Sequence, residues 1–97
     1  MNSYVTIMEW LELQEIKLIS LKDLKKGQTA RLVELRTEDP KLRQRFLDMG
    51  LTKNVLVKVK SIAPFGSPIT LILRDYELSV RKADLFDLLV EVISWLL

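Results

Sequence analysis

The chain has 97 residues, 48% of them hydrophobic, which is enough for one small domain with its own core. It contains no Cys and no His, which excludes disulfides, thiol nucleophiles and the two commonest transition-metal ligands. We therefore expect no bound metal and no cofactor, and the absence of disulfides suits a reducing compartment.

The formal net charge of +2 is unevenly spread. Residues 1–20 hold one Lys against three Glu, residues 21–60 hold eleven Lys or Arg against five acids, and residues 61–97 hold three basic residues against five acids. The basic middle could face an acidic protein, an anionic bilayer or nucleic acid, or could simply be solvated. No apolar stretch approaches the roughly 20 residues that span a membrane, and no signal peptide is evident, so we expect a cytoplasmic protein.

The first recognisable elements lie after residue 20. Residues 1–20 fit neither a helix nor a strand period, and we treat them as an N-terminal extension whose structure stays open. Residues 21–27 predict a turn region that ends in the turn signal Lys25-Lys26-Gly27. Residues 29–36 predict the first strand, although the spacing of its apolar residues is irregular.

A short helix follows, with its start and stop signals written in the sequence. Asp39 can cap the free amide groups of the first turn, and Pro40 suits the first helical position. Gly50 suits the left-handed residue that ends a helix. One narrow apolar stripe, which can dock the helix on a core, is formed by Leu42, Phe46 and Met49.

Four further strands are predicted after the helix. Their alternating apolar residues lie in residues 55–60, 69–74, 76–81 and 86–92. Asp75 marks a tight turn, and Phe86 is expected to face inward from the last strand. The connections are too short for parallel crossovers, so the fold class is mainly β: a small, closed or partly open antiparallel barrel of about five strands with one short helix.

The helix also carries candidate binding residues. Leu47 lies off the apolar stripe, with Arg43 between it and the stripe and Arg45 on the other flank. Leu47 either fills a wider core face or forms the apolar centre of a partner-binding edge rimmed by the two arginines, a residue type favoured at interfaces. Phe46 is the competing anchor, because it could touch both the barrel and a partner.

Two further apolar features need an explanation. The loop of residues 64–68 carries Phe65, which either folds back over the barrel or points outward to a partner. The apolar C-terminal tail, residues 93–97, contains Trp95. It either packs on the N-terminal extension with Trp10 or leaves a patch that drives self-association.

No catalytic constellation is present. The glycines, Gly27, Gly50 and Gly66, lie far apart and form no phosphate-binding loop. No nucleophile is paired with a base, and no metal-ligand spacing occurs. We therefore do not expect an enzyme.

Four segments in order resemble the FeoA family, small cytoplasmic proteins of the bacterial ferrous-iron uptake system. The segments are residues 21–27, 42–51, 63–69 and 76–84, and the similarity runs over residues 21–92. Where the family usually has Pro-Gly this chain has Lys53-Asn54, and Asp75 replaces a frequent Gly. Asn tolerates the left-handed conformation and Asp is a good turn residue, so both turns can survive.

The resemblance implies an SH3-like β-barrel over residues 21–92 and an accessory or regulatory role. The implied partner is FeoB, the membrane Fe(II) transporter with a cytoplasmic GTP-binding domain, contacted without nucleic acid and without embedding in the membrane. The same barrel occurs in iron-dependent repressors of the DtxR type. This chain shows no winged-helix or metal-binding region, so that assignment is not expected.

The alternative is an SH3-like nucleic-acid-binding module, which the basic middle would suit. Against it, the predicted strands lack an aromatic stacking platform and the overall charge is low. Salt-dependent retention on heparin or RNA would separate the two hypotheses. On either hypothesis, the absence of His and Cys predicts that Fe(II) binds only weakly.

Overall fold

The computed structural model describes residues 17–94. The strands and the helix are β1 (Leu18–Ser20), β2 (Thr29–Leu35), α1 (Pro40–Asp48), β3 (Leu56–Ile62), β4 (Ile69–Leu73), β5 (Tyr76–Val80) and β6 (Leu88–Ser94). Two 3-10 helices, Leu21–Asp23 and Lys82–Leu85, follow β1 and β5. The predicted contact between Trp10 and Trp95 and the terminal self-association lie outside the described residues.

The strands form one antiparallel sheet in the order β1-β6-β2-β3-β4-β5. The outermost strands, β1 and β5, are not hydrogen-bonded to each other, so the sheet curls without closing. The predicted fold class, a mainly β SH3-like barrel of the partly open kind with one helix, is confirmed. Within residues 17–94 no helix is long and apolar enough to cross a bilayer.

The core lies inside the curled sheet and is built by alternation along the strands. In β4, for example, Ile69, Leu71 and Leu73 are at most 1% exposed while the residues between them are half-exposed. Leu32 and Leu35 of β2 are both buried, although a regular strand would point residues three apart to opposite faces. A register shift against β6 between Leu32 and Glu34 resolves this, and it explains the irregular spacing seen in the sequence.

Helix α1 begins and ends as its sequence predicts. A carboxylate oxygen of Asp39 accepts hydrogen bonds from the amides of Lys41 (2.9 Å) and Leu42 (3.4 Å). At the other end, the Gly50 amide donates to Leu47 O (3.1 Å) and the Leu51 amide to Phe46 O (2.9 Å). Gly50 has φ +93°, so these bonds form a Schellman motif that a left-handed residue closes.

The predicted apolar stripe docks α1 on the core. Phe46 is fully buried, and Leu42 and Met49 are half-buried against the core cluster. The hydroxyl of Tyr76, at the start of β5, donates to the carbonyl of Met49. The C-terminal end of α1 is thus fixed to the β4–β5 hairpin.

Two sequence predictions need correction. A sixth strand, β1, was not predicted, because three residues are too few to show a period, and it pairs with β6. Phe86 precedes β6 and is 61% exposed, so its predicted inward orientation is wrong. Its ring lies 5.5 Å from the Lys22 ammonium, which gives it a partner outside the core.

The predicted tight turn at Asp75 is confirmed, since Arg74 and Asp75 form the turn between β4 and β5. Arg74, with φ +53°, takes the left-handed conformation there, and Asp75 does not. The prediction that Asn54 can take the left-handed conformation in place of the family's usual Gly is also confirmed, since Asn54 has φ +74°.

Candidate functional site

The candidate residues lie at two opposite ends of the barrel. The helix end consists of α1 and the β4–β5 turn, joined at Tyr76, the first residue of β5. The loop end consists of residues 63–68 and the residues after β5, joined by a 3.1 Å hydrogen bond from the Lys82 amide to Ser67 Oγ. The five residues of β5 separate the two ends by roughly 15 Å. The sequence-predicted residues therefore do not form one site.

At the helix end, Arg43 and Leu47 lie on the same face of α1, because residues four apart are neighbours on a helix. We call these two residues the helix edge. Leu47 is 36% exposed, so a third of its side chain faces solvent while the rest contacts the protein. Arg43 Nη1 donates to Leu35 O at 2.8 Å, which holds the guanidinium beside the barrel. An apolar side chain and an oriented Arg thus share one surface.

Arg45 lies elsewhere on the helix. It is exposed, but it is two residues from both Arg43 and Leu47, and side chains two apart point to opposite sides of a helix. The structure therefore does not bring Arg45 to the helix edge. Phe46 is fully buried and cannot contact a partner while α1 stays docked, so we leave it out of the candidate surface.

At the loop end, Phe65 is 99% exposed, so its side chain points outward and does not fold over the barrel. The loop is held by its own backbone. The Gly66 amide donates to Ala63 O at 2.7 Å, and the Ala63 amide donates to Pro68 O at 3.1 Å. The aromatic ring is therefore presented from a braced turn, with Gly66 at φ +88° allowing the tight bend.

Sequence reasoning missed a third surface, on the outer face of the sheet. An open groove of about 450 Å³ lies between the start of β3 and the end of β4. Leu56, 52% exposed, and Ile72 supply its apolar side chains, and Lys58 and Arg74 its cations. The signal was available in the sequence, since Leu56 alternates with inward Val57 and must face outward.

Within residues 17–94 no three or more acidic side chains gather where they could hold a metal ion. Arg31 donates to Glu91 at 2.6 Å and to Asn54 at 2.7 Å. These bonds join β2 to β6 and to the turn that precedes β3, which is a structural arrangement.

The chain is similar to known proteins in sequence and in structure. Residues 19–92 match the family model for the FeoA domain. The chain is similar to a FeoA-like protein from Clostridium acetobutylicum, with 34% identity and a TM-score of 0.74 over 81% of this chain and 91% of that one. It is similar to the FeoA protein from Chlorobium tepidum, with 28% identity and a TM-score of 0.72 over 78% of this chain and 71% of that one.

A manganese-dependent transcriptional repressor shares the fold alone. The identity is 14% and the TM-score 0.73, over 80% of this chain and 43% of the repressor. No curated protein sequence matches the chain significantly.

Proposed function

Because this chain belongs to the FeoA family, which is linked to ferrous-iron transport, we propose that it is a non-enzymatic cytoplasmic accessory protein of Fe(II) uptake. Its proposed partner is the cytoplasmic GTP-binding region of the transporter FeoB. The proposed contact surface is the helix edge, Arg43 and Leu47. Arg45, on the opposite flank of α1, is proposed as a second, weaker contact.

The observation that carries this proposal is the partial exposure of Leu47 beside an anchored arginine. A side chain that is 36% exposed still leaves apolar area for a partner to bury. The bond from Arg43 to Leu35 O occupies one of its donors and orients the rest, so less side-chain freedom is lost on binding. Both features favour an interface anchor over a solvated helix face.

The test is a calorimetric titration of the full chain against the cytoplasmic region of the FeoB encoded beside it. Leu47→Ala should weaken binding on the order of ten-fold or more, because truncating an interface anchor costs more than 1 kcal/mol. The matched control is Leu56→Ala, which removes the same side chain from the outer face of the sheet, where Leu56 is 52% exposed. If both variants bind like the wild type, or both weaken binding equally, the helix edge is not the interface.

The nucleic-acid alternative gains no support from the surfaces described. The exposed aromatic residues of the described region, Phe65, Tyr76 and Phe86, lie on three separate elements and offer no shared stacking platform. Retention on heparin that falls steeply with salt, together with no FeoB binding, would reverse this preference.

A further inference from the structure

We propose that the loop end is a docking surface for an anionic lipid bilayer. Phe65 enters the headgroup region, and Lys25, Lys26 and Lys82 form a cationic rim around it. This goes beyond the FeoB proposal and does not depend on it, because the helix edge lies at the opposite end of the barrel and stays free for a protein.

The apolar part of the surface is one protruding ring. Phe65 is 99% exposed, which leaves almost its whole ring facing solvent. The loop that carries it is closed by the bonds from Gly66 to Ala63 O and from Ala63 to Pro68 O, so little ordering is needed when the ring is buried. Ile62, at the base of the loop, is also 37% exposed and adds apolar area behind the tip.

Lys82 places a cation beside this ring. Its amide donates to Ser67 Oγ at 3.1 Å, which ties the residue to the loop. Its Nζ lies 3.8 Å from where a Cβ on Gly66 would stand, so the ammonium sits next to the residue that follows Phe65. A charge at this distance from the tip reaches the headgroups when the ring does.

Lys25 and Lys26 belong to a second braced turn at the same end. The Gly27 amide donates to Val59 O at 2.8 Å, which fixes the turn beside the middle of β3. Because β2 and β3 are antiparallel, the residues before β2 continue from there toward the Phe65 loop. The Lys25 amide donates to the buried Oε1 of Gln28 at 2.7 Å, which closes the turn itself. Both lysine side chains are exposed.

The three lysines of the rim are not neutralised by described acidic side chains. Among the described residues, Lys25, Lys26 and Lys82 form no salt bridge, whereas Lys60 and Arg81 are paired with Glu77 (2.5 Å) and Asp84 (3.2 Å). Basic residues near an anionic leaflet are each attracted by about 1 kcal/mol, or roughly five-fold in partitioning. Three unpaired lysines thus complement an anionic surface and repel a basic one.

The shape of the surface favours a bilayer over a protein partner. A protein interface needs a pocket that matches each protruding side chain and several apolar neighbours around it. Phe65 instead protrudes with only Ile62 behind it and Lys82 beside it. A fluid headgroup layer can accommodate such a side chain without a matching pocket. Anchoring by one ring and three charges is reversible, as for a peripheral protein.

The experiment is co-sedimentation of the full chain with phosphatidylcholine vesicles, with or without about 30% phosphatidylglycerol, at about 50 mM and about 500 mM NaCl. We expect binding to the anionic vesicles only, lost at the higher salt. Phe65→Ser and Lys82→Glu should each lower partitioning about five-fold or more. The matched control, Leu56→Ser, removes a half-exposed apolar side chain outside the loop end and should partition like the wild type.

Each other outcome overturns the proposal. It fails if the wild type does not bind the anionic vesicles, if it binds neutral vesicles equally well, or if Phe65→Ser partitions unchanged. It also fails if the wild type does not bind vesicles but binds RNA or self-associates, and Phe65→Ser abolishes that RNA binding or self-association. Because the vesicles contain no protein, none of these results bears on FeoB binding. A wild-type denaturation midpoint for Phe65→Ser confirms that the variant is folded.

Discussion

The two ends of the barrel carry their exposed side chains in different ways. At the helix end the exposed Leu47 follows directly after Phe46, which is fully buried, and both belong to one docked helix. At the loop end Phe65 is 99% exposed and its loop is held mainly by backbone hydrogen bonds. Substitutions at the helix end are therefore expected to change both stability and the proposed binding, whereas substitutions at the loop end are expected to change only the proposed binding.

The largest expected effect on stability comes from truncating one phenylalanine at each end of the barrel. Phe46→Ala should lower the free energy of unfolding by about 3–5 kcal/mol, because it removes a fully buried ring and leaves a cavity. Phe65→Ala should change it by less than about 0.5 kcal/mol, as expected for an exposed side chain. Urea denaturation of both variants measures the difference. Similar losses in the two would contradict the contrast between the ends.

The second effect uses two glycines. Gly27 (φ +87°) and Gly50 (φ +93°) both adopt the left-handed conformation, so an Ala at either position costs about 1 kcal/mol in backbone strain. At Gly50 the new Cβ would also clash with the Tyr76 hydroxyl oxygen, whereas at Gly27 it meets nothing within 4 Å. Gly50→Ala should therefore cost about 2–3 kcal/mol, roughly twice the cost of Gly27→Ala.

A second substitution separates strain from the clash. Tyr76→Phe removes the oxygen that the Cβ would meet, together with its hydrogen bond to Met49 O. Gly50→Ala should then cost less in the Tyr76→Phe background than in the wild type, as measured by a double-mutant cycle in urea. Additive effects would show that the Tyr76 contact does not limit the site.

A smaller effect concerns the charges on α1. Charge reversal at Arg43 and Arg45 together should weaken FeoB binding about ten-fold at about 50 mM NaCl and less at about 500 mM, because salt screens exposed charges. Since the two residues lie on opposite flanks of the helix, the single variants show which flank faces the partner. If the double variant binds FeoB as tightly as the wild type at low salt, neither arginine belongs to the interface.

How much the sequence predicted depends on how local each signal is. The caps of α1, its buried stripe and the left-handed Asn54 were predicted, because each follows from a few neighbouring residues. The strand β1 was missed because its three residues acquire their structure only by pairing with β6. Phe86 was misplaced because its cation–π partner, Lys22, is distant in sequence.

The candidate site shows the same limit. The sequence could name Arg43, Leu47 and Phe65, since an off-stripe Leu and a loop Phe are visible in the pattern. It could not tell that Phe65 lies at the far end of β5 from α1, because that follows from the hairpin of β4 and β5. It also could not decide between the two orientations of Phe65, since loop conformation depends on contacts such as that between Lys82 and Ser67.

The most direct test of the helix edge is an amide chemical-shift map of the ¹⁵N-labelled chain titrated with the cytoplasmic region of FeoB. We expect saturable shifts at the surface of α1 around Arg43 and Leu47 and at the adjoining β4–β5 turn, with the amides of residues 63–68 unchanged. Shifts confined to residues 63–68, or no shifts at concentrations where the two proteins are shown to bind, would contradict it.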